Sequence, residues 1–458
     1  MSYSKYDLAV VGGGAAGLVA SVAAGAVGAK VALVEKEDRL GGECSWTGCV
    51  PSKALIHRGL LNYSCGLSPD ENVMDKVRET TLEAGRASKT KSLLDSYGVD
   101  IYHGGSSFKN NRTLVLDDGP VIEANKFILC TGSSARIPKI EGLTEGYLTN
   151  REIWDLPGIP ESLIIIGGGP IGTELAQAFH RLGTRVTIFQ SRDRLLPRDD
   201  QELARELTEM LISDGIDIRL NARIGKVEKL ERGWKVESGK DKLYGRHILI
   251  ALGRRANTDH LNLEAAGVEY SRDRIAVNRH LRTTAANIWA AGDCTGGLMF
   301  SHISEIEAKT AVRNALFPFN SRVDYQGGPW ATFTDPELAH LGLTEEECKH
   351  RNIRYRVYSQ AFAGDDRAIT DGAARGRVKI IASPYGRMLG VHILGPRAGE
   401  LINEFILARR KGLRLHEIGL TVHVYPSLGM AVQRATDDWF AEMAEKPLLK
   451  FLTRLARR

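Results

Sequence analysis

Residues 7–17 read DLAVVGGGAAG, and residues 163–172 read LIIIGGGPIG. Each is a short apolar run of strand character closed by a glycine turn, and a helical stretch follows each. In the first copy the next strand, KVALVE, ends at Glu35; in the second, RVTIFQ ends at Gln190. The spacing is constant: Gly12 answers to Gly167, Gly14 to Gly169, Gly17 to Gly172, Gly28 to Gly183 and Glu35 to Gln190. One G-x-G-x-x-G is a weak signal. Two copies, each set between a strand and a helix, predict two doubly wound α/β units that bind dinucleotides. The first glycine allows the tight turn, the second lets backbone approach a pyrophosphate, and the third brings helix against strand. The helix start then offers free N–H groups and partial positive charge to the phosphates.

The two strand ends differ in charge. Glu35 is the carboxylate expected to hold a ribose 2'-hydroxyl in FAD or NAD. Gln190 carries no charge, and Arg192, Arg194 and Arg198 follow it. A missing acid with nearby arginines fits a 2'-phosphate and favours NADPH at the second site.

Composition narrows the class. At roughly 150 residues per domain, 458 residues suggest about three domains. Hydrophobic residues make up 43% and charged residues 26%, which excludes disorder. Glycine is frequent, 48 residues, so tight turns and close backbone approaches are expected. With 61 basic and 56 acidic residues the formal charge is +5, too little for a nucleic-acid binder of this size. The N-terminus has no basic region followed by an apolar run, so no signal peptide is expected. The least polar stretch, residues 18–34, is interrupted by Lys30, and no segment qualifies as a membrane span. Six cysteines in a chain without an export signal point to a reducing, cytoplasmic setting.

Two of those cysteines are close together, in GGECSWTGCVPSKAL at 41–55. In a cytosolic protein a pair such as Cys44 and Cys49 is catalytic or metal-binding more often than structural. Pro51 predicts that a helix begins at Cys49, because proline suits a first helical turn. The partial positive charge there stabilises a thiolate. The motif follows Glu35 by a few residues, which sets it near the first dinucleotide.

With these motifs in place, the chain resembles class I pyridine nucleotide-disulfide oxidoreductases, the family of glutathione reductase, dihydrolipoamide dehydrogenase and mercuric reductase. The resemblance covers nearly the whole length. It implies a redox-active disulfide between Cys44 and Cys49, with Cys44 the interchange thiol and Cys49 the charge-transfer thiol against the flavin. It implies that Lys53 lies near the flavin and pairs with Glu174. ILCTGSSARIP (128–138, with Thr131 and Gly132) and ILIALGRRAN (248–257, with Gly253) resemble the segments where the chain crosses between domains. IWAAGDC (288–294) resembles the second flavin motif, with Asp293 on the ribitol chain, and Gly42 joins the flavin-binding set. PWATFTDPELAHLGLTEEE (329–347) resembles the start of the family's interface domain, which forms a two-fold homodimer.

The pattern breaks near the C-terminus. The family signature is His-Pro-Thr-Leu-x-Glu; the matching residues are Tyr425, Pro426, Ser427, Leu428, Gly429 and Met430. His423 matches an upstream family histidine and reads as structural. Tyrosine has a reference pKa near 10, so using Tyr425 as a base at pH 7 costs about 4 kcal/mol. A hydrogen-bond donor or a soft-metal contact suits it better. Mercuric reductases resemble the chain at this position, and 174–192 looks closest to that branch. Against that, the chain ends LLKFLTRLARR without a Cys-Cys pair, and its flavin motif begins at residue 7 with no metal-binding domain before it. The tail 446–458 sets Leu448, Leu449, Leu452 and Leu455 at helical spacing among Lys450, Arg454, Arg457 and Arg458. That pattern allows a basic amphipathic helix at a membrane surface, against the plainer reading of a terminal helix packed on its own domain.

The expected fold is thus α/β. It has two doubly wound nucleotide-binding domains, FAD at 1–150 with 280–325 and NAD(P) at 151–279. An α+β dimerisation domain follows at 326–458. The expected function is electron transfer from NAD(P)H through FAD to the Cys44–Cys49 pair and on to a metal-ion or small-oxidant acceptor. The alternatives are a dihydrolipoamide dehydrogenase-type enzyme and a non-catalytic redox-sensing flavoprotein. Gly172 is typical of NADH enzymes while Gln190 argues for NADPH, so both nucleotides stay open. No resident metal is expected.

Overall fold

The protein is described here from a computed structural model. It describes residues 3–66, 71–87, 90–117, 119–318, 320–325, 327–445 and 447. The hypothesis about the tail 446–458 therefore lies, Pro447 apart, outside the described residues.

The chain is α/β, as its two glycine motifs predict. The first sheet runs Val99–His103, Val31–Glu35, Tyr3–Val11, Val121–Leu129, Thr113–Leu116, Ser106–Asn110. Tyr3–Val11 is parallel to both of its neighbours, and Ile288–Ala290 returns late in the chain to pair parallel with Val121–Leu129. The helix that follows this return packs on the helix that follows the first glycine turn. Ala16, Ala20 and Ala24 of helix Ala15–Gly25 share a core with Ala308, Ala311 and Ala315 of helix Ser301–Leu316. Such small side chains let two helices approach closely.

The second sheet is wholly parallel, in the order Asp217–Arg219, Arg185–Phe189, Ser162–Ile166, His247–Ile250. All five residues of Ser162–Ile166 are buried, as a strand covered on both faces requires. An antiparallel three-stranded sheet, Lys226–Leu230, Gly233–Ser238 and Asp241–Gly245, flanks it.

The two segments read as crossings pair with each other. Ser133–Ala135 lies antiparallel to Arg254–Ala256 and ties the departure from the first sheet to the return from the second. The last unit is an antiparallel five-stranded sheet, Trp330–Thr332, Glu337–Gly342, Met388–Gly395, Arg377–Ala382, Arg356–Ala361. Helices Ala398–Lys411 and Gly429–Ala444 pack Ile402, Phe405, Val432 and Ala435 against it. Among the described residues no helix is long and apolar enough to cross a membrane.

Candidate active site

Both glycine turns have the geometry their spacing implies. Gly12 sits at φ +106°, and a Cβ there would lie 2.2 Å from the Cys130 carbonyl oxygen. Gly167 repeats this at φ +116°, with Ala251 O at 2.3 Å. A Cβ on Gly17 would overlap Gly12 O at 1.7 Å, and one on Gly172 would overlap Gly167 O at 2.0 Å. The third glycine of each turn is therefore what lets the helix close on the turn. Gly14 differs: its Cβ would meet only Gly42 Cα, at 3.7 Å, so its backbone faces open space. Gly14 and Gly169 also begin their helices with no side-chain cap, which leaves N–H groups for an anion.

That open space is a cleft of about 1010 Å³ lined by Gly12, Gly14, Glu35, Gly42, Cys44, Thr131, Gly132, Asp293 and Ser301. The two oxygens of Glu35 accept from Gly13 N at 2.6 Å and Glu37 N at 2.9 Å. Asp293 lines the same cleft and accepts from Ser133 Oγ at 2.6 Å. Thr131 Oγ1 donates to Asn257 O at 2.7 Å, which locks the crossing strands together. Gly253, at φ +94°, lies just before the second crossing strand and is not among the residues lining the cleft. Two carboxylates, a side-chain-free anion cradle and the Cys44 thiol line this one cleft and fit FAD.

The arginines after Gln190 separate. Gln190 is buried, and its Nε2 donates to Arg194 O at 3.1 Å. Arg194 is engaged by Glu346 at 2.7 Å and Asp193 at 3.2 Å. Arg198 lies over the Trp330 ring. Arg192 is exposed, and no side-chain partner holds it among the described residues.

The thiol pair is where the sequence motif becomes chemistry. Cys44 lies on the short helix Gly42–Trp46, and Cys49 opens helix Cys49–Cys65. Both are thiols in this structure. Ser301 Oγ, first residue of its own helix, donates to Cys44 Sγ at 3.1 Å and lies 3.7 Å from Cys49 Sγ. The Cys49 pKa is lowered to about 6. The Cys44 hydrogen bond is the largest cause; burial opposes it, and Ser301 and the Lys53 charge add to it. The same hydrogen bond, with burial, pushes the Cys44 thiol up. The proton thus stays on Cys44 and the charge on Cys49. Lys53 Nζ meets Glu174 Oε2 at 2.7 Å and sits 4.3 Å from the centre of the Phe333 ring. The other Glu174 oxygen takes Phe333 N–H at 2.9 Å.

Sequence reasoning missed three groups. Ser301 carried no local signal, because its partner lies 257 residues away. Glu43 meets Arg254, and Arg151 Nε at 2.7 Å. Burial alone would push the Glu43 carboxyl up, but the two guanidiniums outweigh it and hold the carboxyl below its usual range. Asn150 and Trp154 then bind the Thr47 carbonyl between the two cysteines.

Tyr425 is not brought to the thiols within one chain. It is exposed, and its hydroxyl donates to Asp366 Oδ2 at 3.1 Å, which raises its pKa. His423 faces Glu404 Oε1 at 3.0 Å through Nε2 and Thr421 O at 2.9 Å through Nδ1. Among the described residues no group of three or more His, Cys, Asp or Glu is placed to hold a metal.

Residues 6–311 match the family described as pyridine nucleotide-disulphide oxidoreductase, and residues 328–436 match its dimerisation domain. The chain is 34% identical over 448 residues to a mercuric reductase of Bacillus cereus, covering 94% of this chain and 71% of that protein. It is 32% identical over 476 residues to a dihydrolipoyl dehydrogenase of Thermus scotoductus, covering 98% and 99%. Among solved structures it resembles the Cu(II) complex of the HOCl-induced flavoprotein disulfide reductase RclA from Escherichia coli. There the TM-score is 0.87 at 30% identity, covering 96% of this chain and 99% of that one. The chain belongs to the pyridine nucleotide-disulphide oxidoreductase family, whose members work with FAD and a nicotinamide dinucleotide.

Proposed function

We propose that this protein carries electrons from NAD(P)H by way of FAD to the Cys44–Cys49 pair and on to a metal ion or small oxidant. The polarised thiol pair carries the reading: a proton held on Cys44 and a charge held on Cys49 at a helix start. FAD, when bound, supplies the ring that accepts a hydride and exchanges an electron pair with sulfur. The chain's residues govern the rest. Each turnover moves two electrons, which open the disulfide to a thiol on Cys44 and a thiolate on Cys49. The same two electrons leave to the acceptor as the disulfide re-forms. Ser301 holds both sulfurs, Lys53 steadies the thiolate, and Glu174 fixes the lysine.

The acceptor reading rests on Tyr425. A phenol whose proton is directed at Asp366 and whose pKa is raised is a poor base for a dithiol. The names of the mercuric reductase and of the Cu(II)-bound flavoprotein support a soft-metal or small-oxidant acceptor. A second reading, oxidation of a dithiol or lipoyl protein, draws on the dihydrolipoyl dehydrogenase relative. Rates of NADPH oxidation with mercuric and cupric ions, disulfides and quinones, set beside NAD reduction by dihydrolipoamide, separate the two. We expect turnover with metal ions or small oxidants; turnover with dihydrolipoamide alone would reverse the reading, and turnover with none would favour a sensor.

NADPH is the proposed donor, with Arg192 the group for its 2'-phosphate. A homodimer is the proposed assembly, on the strength of the matched dimerisation domain.

A further inference from the structure

The redox motif contains an acid in an unexpected place. Gly42 packs on Gly14, so close that a Cβ would lie 2.8 Å from Gly14 Cα. The next residue, Glu43, therefore stands beside the anion cradle, and Glu43, Arg151 and Arg254 line the same cleft as Gly12, Gly14 and Asp293. A carboxylate there is a like charge to a dinucleotide's diphosphate. It is also the nearest carboxylate to Arg151 and Arg254, two of the six Lys and Arg side chains that line the cleft. Side-chain exposure is 18% for Glu43 and 16% for Arg254, so solvent screens the pair weakly. Arg254 also donates through Nε to Ser133 Oγ at 2.6 Å and through Nη2 to Ser133 O at 2.8 Å, which fixes its guanidinium.

We propose that Glu43 is a flavin-affinity determinant, an internal counter-ion that competes with the diphosphate of the dinucleotide for Arg254 and Arg151. This rests on the FAD reading of the cleft. Without flavin, Glu43 is the nearest carboxylate to both guanidiniums, closer than Glu37 at 3.7 Å from Arg151 and Asp293 at 3.6 Å from Arg254, and so helps keep the cradle folded. With flavin, the same carboxylate repels the diphosphate and draws Arg254 and Arg151 away from it. Both effects act in one direction: loss of the charge tightens flavin binding. A purely structural Glu43 predicts the reverse, because its loss would loosen Gly41–Gly42 and release the cofactor.

The test is flavin release from purified holoenzyme after dilution, followed by the rise in flavin fluorescence, for wild type, Glu43→Gln and Glu43→Asp. Glu43→Gln is expected to release FAD about tenfold more slowly, the scale of one unit charge acting through a partly buried site. Glu43→Asp keeps the charge and is expected within about twofold of wild type. Adding Arg254→Gln to Glu43→Gln is expected to remove the gain. Release from Glu43→Gln at the wild-type rate or faster would overturn the proposal. If that variant does not fold, Glu43→Ser carries the same expectation and the same refutation. A colourless wild type would fault the FAD reading itself, whereas equal release from two yellow proteins would fault only the role of Glu43.

Discussion

Cys49 owes its low pKa to contacts that can be removed singly. Replacing Ser301 by Ala deletes a hydroxyl that touches both sulfurs. Hydrogen bonds to charged groups contribute about 1.5–3 kcal/mol, so the thiolate midpoint is expected to rise by about one unit. Ser301→Thr is expected to restore it; a pH titration of thiolate absorbance at 240 nm checks both. Lys53→Met removes the cation beside the thiolate and leaves Glu174 buried without its partner. That variant is expected to raise the Cys49 midpoint and to lower stability, because an unpaired buried carboxylate is costly. These residues were unequally legible. Cys49 and its helix start followed from Pro51 and the local motif, and the Lys53–Glu174 pair from family resemblance. Ser301 and the Glu43–Arg254 pair could not be read, because the fold joins distant segments that no periodicity records.

Between elements, the junction of the second sheet with the last one is ionic and partly protonated. Asp199 is buried, its pKa is raised to about 7 by that burial, and its carboxyl accepts from Trp330 Nε1 at 2.8 Å. A carboxyl raised in the folded state stabilises below its unfolded pKa and loses that contribution as pH climbs through the folded value. Stability is therefore expected to fall between about pH 4 and pH 7 by up to about 4 kcal/mol from this group. Asp199→Asn keeps an acceptor for Trp330 and is expected to raise Tm by clearly more at pH 8 than at pH 5, by calorimetry. Nearby, Lys379 is fully buried among Asp200 at 3.0 Å, Glu202 at 2.8 Å and Glu345 at 2.7 Å. Lys379→Met is expected to destabilise by about 3–5 kcal/mol in chemical denaturation, since it strands Asp200. The elements themselves were readable, because glycine spacing and apolar runs are local properties. Their junctions were not: a lysine in a strand reads as solvent-facing until the neighbouring helix supplies its carboxylates.

At the scale of the molecule, the segment 420–425 presents Leu420, Val422, Val424 and Tyr425, between 64% and 93% exposed. That much apolar surface on one segment is unusual for a monomer. The proposed homodimer would cover it, and Val424→Glu is expected to shift sedimentation toward the monomer; an unchanged dimer would place the interface elsewhere. The division into two dinucleotide units and an antiparallel unit follows from two echoing glycine turns. The acceptor does not follow from the fold, because it depends on what surrounds Cys44 once the assembly forms.

A thiolate on Cys49 facing a flavin stands at the centre of the proposed chemistry. Anaerobic reduction with NADPH, with long-wavelength thiolate-to-flavin absorbance recorded across pH, tests it most directly. Wild type is expected to show the band with a midpoint of about 6, the value to which Cys49 is lowered. Cys44→Ser is expected to keep the band and Cys49→Ser to lose it. A band that survives Cys49→Ser, or a wild type that shows none, would contradict the account.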